Sequence, residues 1–471
     1  MSFAGLFFLF AFLPLFLILY YLCGLFRDIR WRNAVLMVGS FVFYAWGNPL
    51  GLLFLLLAAG ANWICGMRLR TRHGEEPPKS PMVWALVIDI GVLVLFKYSG
   101  FFVENLNALT GWSLPVPHPA LPLGLSFFTF EMISYILDVY WGKYRPERSF
   151  GQFLTYVSLF TTVTSGPIVR YGDVREQFEG RHVRLDDFQG GLVRCVYGLA
   201  KKVMIADAIA GVVADVLPAG KIAGVSVCGM WFGIVLYALQ MYFDFSGYSD
   251  MAIGISRMLG FTIKENFDYP FCCRSISEFW QRWHISLGSF FRDYLLYVPL
   301  FGRRTKYAGL VLVWLCTGLW HGASWNFVIW GAYFGLFVFL ETLIGKKRLK
   351  KAPTWLMHLY TKVVIAVGFG IFYFTDLGEL GKMFAGLVGA NGNPFWSTTL
   401  SHAIANNLFL IVIAIALCLP IYPKLRARAE KTMNGTVAFH LSQTVLCVLL
   451  LVACTILLTN STTHAFLYNQ F

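Results

Sequence analysis

Two histidines have the residue type and the setting for proton transfer, and both fall in one stretch, Phe279 to Asn326. It reads FWQRWHISLGSFFRDYLLYVPLFGRRTKYAGLVLVWLCTGLWHGASWN. Imidazole has an unperturbed pKa of about 6.5, so it can take and return a proton near neutral pH. His284 stands in a Trp-rich segment, and His321 ends a strongly apolar run. An isolated histidine on an apolar face is usually a satisfied core residue. In a membrane interior the balance shifts, because ionisable groups there are costly and mark functional cavities.

Wound as one helix over 278–295, the first segment is amphipathic. Trp280, Trp283, His284, Leu287, Phe291 and Tyr294 share one face; Glu278, Arg282, Ser286, Ser289 and Asp293 share the other. Glu278 precedes Arg282 by four positions, the better orientation for a surface ion pair. Such a helix suits a boundary between apolar and wet surroundings. Around His321, the small residues Gly318, Gly322, Ala323 and Ser324 allow a backbone or a substrate to approach closely.

The rest of the chain is built to sit in lipid. It has 471 residues, 57% hydrophobic and only 13% charged. A soluble domain is about 45–50% apolar and about 25% charged. The composition predicts an all-α polytopic membrane protein, long enough for about ten or more spans. The net charge of +13 does not indicate nucleic acid, because Lys and Arg fall mostly in short loops between apolar runs, as orientation signals do. The ten cysteines show no metal-type or disulfide spacing, so neither is assigned.

Phe3–Phe26 is expected to be a retained signal anchor, too long and too aromatic for a cleaved leader. Arg27, Arg30 and Arg32 follow it. Asn33–Trp46 and Leu50–Gly66 form a hairpin around Gly47-Asn48-Pro49, followed by a basic loop with Arg68, Arg70, Arg72 and Lys79. Met82–Val103 is the next span. Glu131 and Asp138 stand seven apart within Pro122–Gly142, on one helix face, as polar glue, a helix-end cap or a cavity lining. Phe150–Arg170 ends in Ser165-Gly166-Pro167, the mark of a broken or re-entrant helix. Gly190–Leu217 is a long helix whose Lys201 and Lys202 are expected at the interface, snorkelling, where they could attract a phosphorylated donor. Val225–Phe245 is a span, and Met251–Gly260 is expected as a separate short helix with an Asp250–Arg257 ion pair. Trp325–Gly345, Trp355–Phe374, Ile404–Ile421 and Val437–Leu458 complete the spans. The strongest basic cluster, Lys346, Lys347, Arg348, Lys350 and Lys351, is assigned to the cytoplasm, which places both termini outside.

The motifs PLGLSFFTFEMISYILDVY, SGPIVRY, GLAKKVMIAD, YFDFSGYSDMAIG, ENFDYP, EFWQRWHISLGSFFRDYLLYVPL and GLWHGASWNFVIWGAYFG resemble those of membrane-bound O-acyltransferases, in the alginate O-acetyltransferase-like branch. The resemblance covers most of the chain, to a C-terminal FLYNQF. Thr317, Gly288 and Asn469 depart from the family's usual residues, and none of these is a histidine. The resemblance implies one membrane-embedded domain, with N-terminal spans over 1–120, a motif-bearing core over 121–345 and C-terminal spans over 346–471. It implies a ring of about eleven transmembrane helices around a central funnel in the cell membrane. It implies His321 as the essential histidine and His284 as a second functional one. Trp320, Asp244, Asp250, Arg282, Trp283, Ser324 and Asn326 lie in the same motifs and are candidate substrate-binding or funnel-lining residues. The donor implied is a cytoplasmic acyl thioester, acetyl-CoA or another. The acceptor is a hydroxyl of a cell-surface polysaccharide, reached with a secreted or membrane-anchored esterase-like partner.

The chemistry asks for little more than a base and positioning, since a thioester is already activated. His321 is the expected base; His284 orients the acceptor or stabilises the oxyanion. The alternatives are D-alanyl transfer to teichoic acid from a carrier-protein thioester, or a non-enzymatic transporter of an acylated precursor. Midplane charges and broken helices suit a transporter, but internal repeats are not apparent.

Overall fold

The computed structural model describes the chain except residues 27, 72–75, 299–304, 461–465 and 467–471. Of the residues singled out above, Arg27, Arg72 and Asn469 lie outside that set, as do 299–304 of the central stretch. Among the described residues every regular element is helical. Seven helices are long and apolar enough to cross a membrane: Pro49–Arg68, Lys79–Thr110, Val227–Met258, Trp325–Ile344, Thr354–Tyr373, Thr398–Leu417 and Met433–Asn460. The first apolar stretch is a shorter helix, Phe8–Cys23.

Two compact units divide the chain, one comprising Met1–Cys195 with Tyr248–Lys264, the other Val196–Gly247 with Glu265–Leu467. In the first unit, the expected hairpin forms as Ile29–Ala45 and Pro49–Arg68, with the Asn48 side chain capping the second helix by accepting from the Gly51 amide at 2.8 Å. Leu125–Tyr140 carries Glu131, fully buried, and Asp138, which meets Lys143 at 2.6 Å beyond the end of the helix. Phe150–Ser158 breaks as expected, and the Gly-Pro segment after it runs buried without helix to Arg170.

Three local expectations are corrected. Val227–Met258 is one continuous helix of 32 residues, with no break before Met251. The Asp250–Arg257 pair does not form: Arg194 meets Asp250 at 2.9 Å and Arg257 meets Asp187 at 3.0 Å. Each charge finds a partner on another segment, which leaves the helix nothing to gain from an internal pair. Lys202 does not snorkel. It is 2% exposed, within a π-helical turn, Lys201–Ala206, in the middle of the long helix.

The second unit holds both histidines. Its frame is a tight pair, Lys306–His321 and Trp325–Ile344. A Cβ on Gly318 would stand 2.3 Å from the Phe327 carbonyl oxygen, and one on Gly331 would stand 2.5 Å from that of Trp314. The two backbones therefore touch, which only small residues permit. The predicted helix over 278–295 is two helices, Ile276–Arg282 and Ile285–Tyr294. The break falls at Trp283 and His284, where His284 adopts φ +44°, ψ +54°. The predicted apolar face is buried at Trp283, His284, Leu287, Phe291 and Tyr294 and half-buried at Trp280, while the polar face is half-buried at Glu278, Arg282, Ser286 and Ser289 and exposed at Asp293.

Candidate active site

His284 is held by a short strand of chain that the motif ENFDYP supplies. The Asp268 amide donates to the Arg282 carbonyl at 2.9 Å, and the Ile285 amide donates to the Asn266 carbonyl at 3.0 Å. These two bonds bracket His284 and keep its backbone in the left-handed region, where a non-glycine residue is uncommon and costs about 1–2 kcal/mol. Asn266, fully buried, then fixes the ring. Its side-chain oxygen accepts from the Ser286 amide at 3.2 Å and the Ser286 hydroxyl at 2.9 Å, and stands 3.2 Å from His284 Nδ1. An oxygen in that position requires a donor, so Nδ1 carries the hydrogen and Nε2 carries the lone pair. His284 lies outside the seven candidate spans, and burial pushes its pKa down to about 3. Burial therefore favours the neutral imidazole.

His321 closes the helix Lys306–His321 and is 2% exposed. Aromatic rings wall it in: Trp330 at 4.8 Å, Trp320 at 4.9 Å and Phe372 at 5.3 Å between centroids, each near perpendicular. The Trp320 ring also meets the His284 ring, at 5.7 Å, so one indole lies against both imidazoles. Phe245 closes on His284 at 4.6 Å. A dry aromatic wall of this kind raises the strength of every polar contact made inside it. Behind His321, Gly322 has no room for a side chain, since a Cβ there would meet the Phe327 ring at 2.2 Å.

The other candidate residues divide by position. Trp320 stands between the histidines. Trp283 packs on Phe279, Phe369 and Phe267 and is part of the support. Asn326 is fully buried and donates to the carbonyls of Ile371 and Phe372, both at 3.3 Å, while Ser324 donates to Asn326 Oδ1 at 2.5 Å. That pair ties the turn after His321 to the helix Thr354–Tyr373. Asp244 is buried and meets Lys202 Nζ at 2.6 Å; Lys202 also meets Asp207 at 2.8 Å. Burial disfavours the Lys202 charge, but the two carboxylates outweigh it and its pKa ends above the ordinary lysine value. Its ammonium is thus committed to scaffold, which is why it does not snorkel toward a donor. Arg282 is half-buried and pairs with Glu278 at 3.0 Å, as the spacing predicts, and with Asp268 at 3.7 Å. Asp250 belongs to the first unit, with Arg194. Among the described residues no group of three His, Cys, Asp or Glu converges to hold a metal ion.

Asn266, Phe245, Trp330 and Phe372 were not singled out from sequence. Trp330 and Phe372 lie in apolar runs that offer many equivalent aromatics, and Phe245 stands between Asp244 and Ser246 beside two other aromatics, Tyr242 and Phe243. Asn266 carries a signal in retrospect, an uncharged polar residue between Glu265 and Phe267 that leads into the Trp-rich segment.

Residues 147–378 match the model of the MBOAT, membrane-bound O-acyltransferase family. A probable alginate O-acetylase of Pseudomonas putida is 40% identical over 399 residues, covering 82% of this chain and 80% of its own. A peptidoglycan O-acetyltransferase of Helicobacter pylori is 33% identical over 423 residues, covering 82% and 79%. A teichoic acid D-alanyltransferase of Bacillus subtilis is 28% identical over 274 residues, covering 55% and 69%. With its multiple apolar helices, the chain is a multi-pass membrane protein of the membrane-bound O-acyltransferase family, an O-acyltransferase.

Proposed function

We propose that this protein transfers an acetyl group from a cytoplasmic thioester toward hydroxyls of an extracytoplasmic polysaccharide, with His321 as general base. The observation that carries the reading is the pair of buried imidazoles against one indole, Trp320. Similarity over 82% of the chain to an alginate O-acetylase and a peptidoglycan O-acetyltransferase supports the acetyl group and the polysaccharide. The D-alanyltransferase similarity is lower and covers about half the chain, 55%, so that donor is the weaker reading.

The step balances simply. The acceptor oxygen attacks the thioester carbonyl carbon as His321 takes the hydroxyl proton. The C–S bond breaks, and the imidazolium returns the proton to the leaving thiolate. General-base help of this kind is worth about 10²–10⁴-fold. The Nδ1–H tautomer of His284 suits orientation rather than oxyanion stabilisation: its Nε2 lone pair accepts from a hydroxyl and cannot donate to an oxyanion. The helices that bear these groups would surround a funnel open to the donor on the cytoplasmic side, and an esterase-like partner outside would carry the acetyl group to the polymer.

Purified protein supplied with a radiolabelled acetyl thioester and a hydroxyl acceptor tests this. Wild type is expected to form the acetyl ester, and His321→Ala to lose at least about 10²-fold in rate. Full transfer by a folded His321→Ala protein would remove His321 from its role.

A further inference from the structure

A concave region lies in the same compact unit, and neither histidine lines it. It is a pocket of about 870 Å³, bounded by residues of Ile276–Arg282, by the end of Trp325–Ile344 and by the turn Lys346–Leu349. Its lining holds five cations, Arg274, Arg282, Lys306, Lys346 and Lys350, against two carboxylates, Glu278 and Glu341.

Both carboxylates are already engaged. Glu278 meets Arg282 at 3.0 Å and accepts from the Arg274 amide at 2.9 Å. Glu341 is 4% exposed and accepts from the amides of Ile276 and Ser277, at 2.6 and 2.8 Å, and from the Tyr360 hydroxyl at 3.2 Å. The side chains of Arg274, Lys306, Lys346 and Lys350 make no ion pair among the described residues. Like charges gathered in one concavity repel one another, and the low-dielectric walls focus their field onto an anion placed between them. A single exposed lysine would carry no such meaning. Here four cations converge on a cavity whose own carboxylates are spoken for. Ser277 and Thr354 line the same space, and their hydroxyls can donate to anionic oxygens. Its volume falls within the range of small-molecule sites, about 300–1,000 Å³.

We infer that this pocket binds a phosphate-bearing anion carrying two or more negative charges. Two sources present that chemistry on the side to which loop charges assign Lys346–Lys351. One is the headgroup of an anionic phospholipid. The other is the phosphorylated end of a soluble thioester carrier, and only this second source rests on the acyltransferase reading.

The experiment uses the full chain in uncharged detergent, with cardiolipin and coenzyme A as probes. Native mass spectrometry counts cardiolipin retained from phosphatidylcholine nanodiscs made with and without it; calorimetry measures coenzyme A. The variants are Lys346→Gln/Lys350→Gln and Arg274→Gln/Lys306→Gln. A control, Lys424→Gln/Lys431→Gln, removes the same charge elsewhere. Each pocket variant is expected to weaken one of the probes at least about tenfold, with the control unchanged. Loss confined to cardiolipin makes the ligand a lipid headgroup; loss confined to coenzyme A makes it a carrier. If neither probe binds wild type, or both bind the pocket variants as well as the control, the inference is overturned. Acetyl transfer assayed on the same proteins separates the two claims: transfer without phosphate binding sinks the pocket and leaves the transferase standing.

Discussion

A histidine held at φ +44° by backbone bonds on either side is a residue whose ring direction has been fixed by the fold. Its protonation is fixed as well. Burial disfavours the His284 cation and pushes its pKa from the ordinary 6.5 down to about 3. The unfolded chain therefore binds one more proton than the folded chain between those two values. Unfolding free energy rises with pH in that window, so this contribution is present above 6.5 and is lost as pH falls toward 3. Thermal unfolding of detergent-solubilised protein between pH 7 and about pH 5 is expected to show a falling midpoint, with a shallower fall in His284→Gln. An equal slope in both would mean that His284 is not buried neutral. Lys202 makes the opposite case, a cation kept charged inside. Lys202→Met leaves Asp244 and Asp207 without their counter-ion and is expected to destabilise the fold by about 3–5 kcal/mol. The double change Lys202→Met/Asp244→Asn should cost less than that single one, measured by the same unfolding assay. The apolar side of His284 was legible from sequence, but its backbone turn, its tautomer and the burial of Lys202 were not. Lys202 beside Lys201 resembles an interfacial pair, and the carboxylates that bury it are five and forty-two positions away.

At the scale of the element, periodicity found the faces and missed the joints. The apolar and polar faces over 278–295 follow from a 3.6-residue period, and the burial pattern repeats them. The break at His284 does not follow, because no Gly or Pro marks it; bonds from the distant segment 266–268 impose it. The continuous helix Val227–Met258 is the converse: Asp244, Ser246, Gly247 and Asp250 suggest an interruption, yet tertiary partners satisfy the carboxylates and the helix runs on. The close pair ending in His321 was legible from its small residues. Gly331→Leu places a side chain where a Cβ already stands 2.5 Å from the Trp314 carbonyl, so the helix pair must separate. Folded yield on size-exclusion chromatography is expected to collapse. Gly60→Leu, with nothing within 4 Å of its Cβ, is expected to match wild type. Equal yields from both would contradict the contact.

At the scale of the molecule, composition announced the membrane, while the sides assigned from loop charge stand as a proposal. Apolar runs of about twenty residues became helices long enough to cross, because lipid forces the backbone to satisfy itself within each segment. Sidedness is testable independently of the chemistry. In a cysteine-free background, Lys347→Cys is expected to be closed to an impermeant thiol reagent in intact cells, while Asn393→Cys reacts. The reverse pattern would invert the orientation drawn from loop charges. Motif spelling pointed to the two histidines and to Trp320, whose ring lies between them, but the asparagine that sets the tautomer, Asn266, comes from a separate motif and was not legible as a partner. His321 is proposed to perform acetyl transfer destined for a cell-surface polymer. Its most direct test is the O-acetyl content of surface polysaccharides in a deletion strain complemented with wild type, His284→Ala or His321→Ala, with membrane expression matched. Acetyl esters are expected to vanish on deletion, to return with wild type and to stay absent with His321→Ala. Acetyl content unchanged by the deletion, or restored in full by His321→Ala, would contradict it.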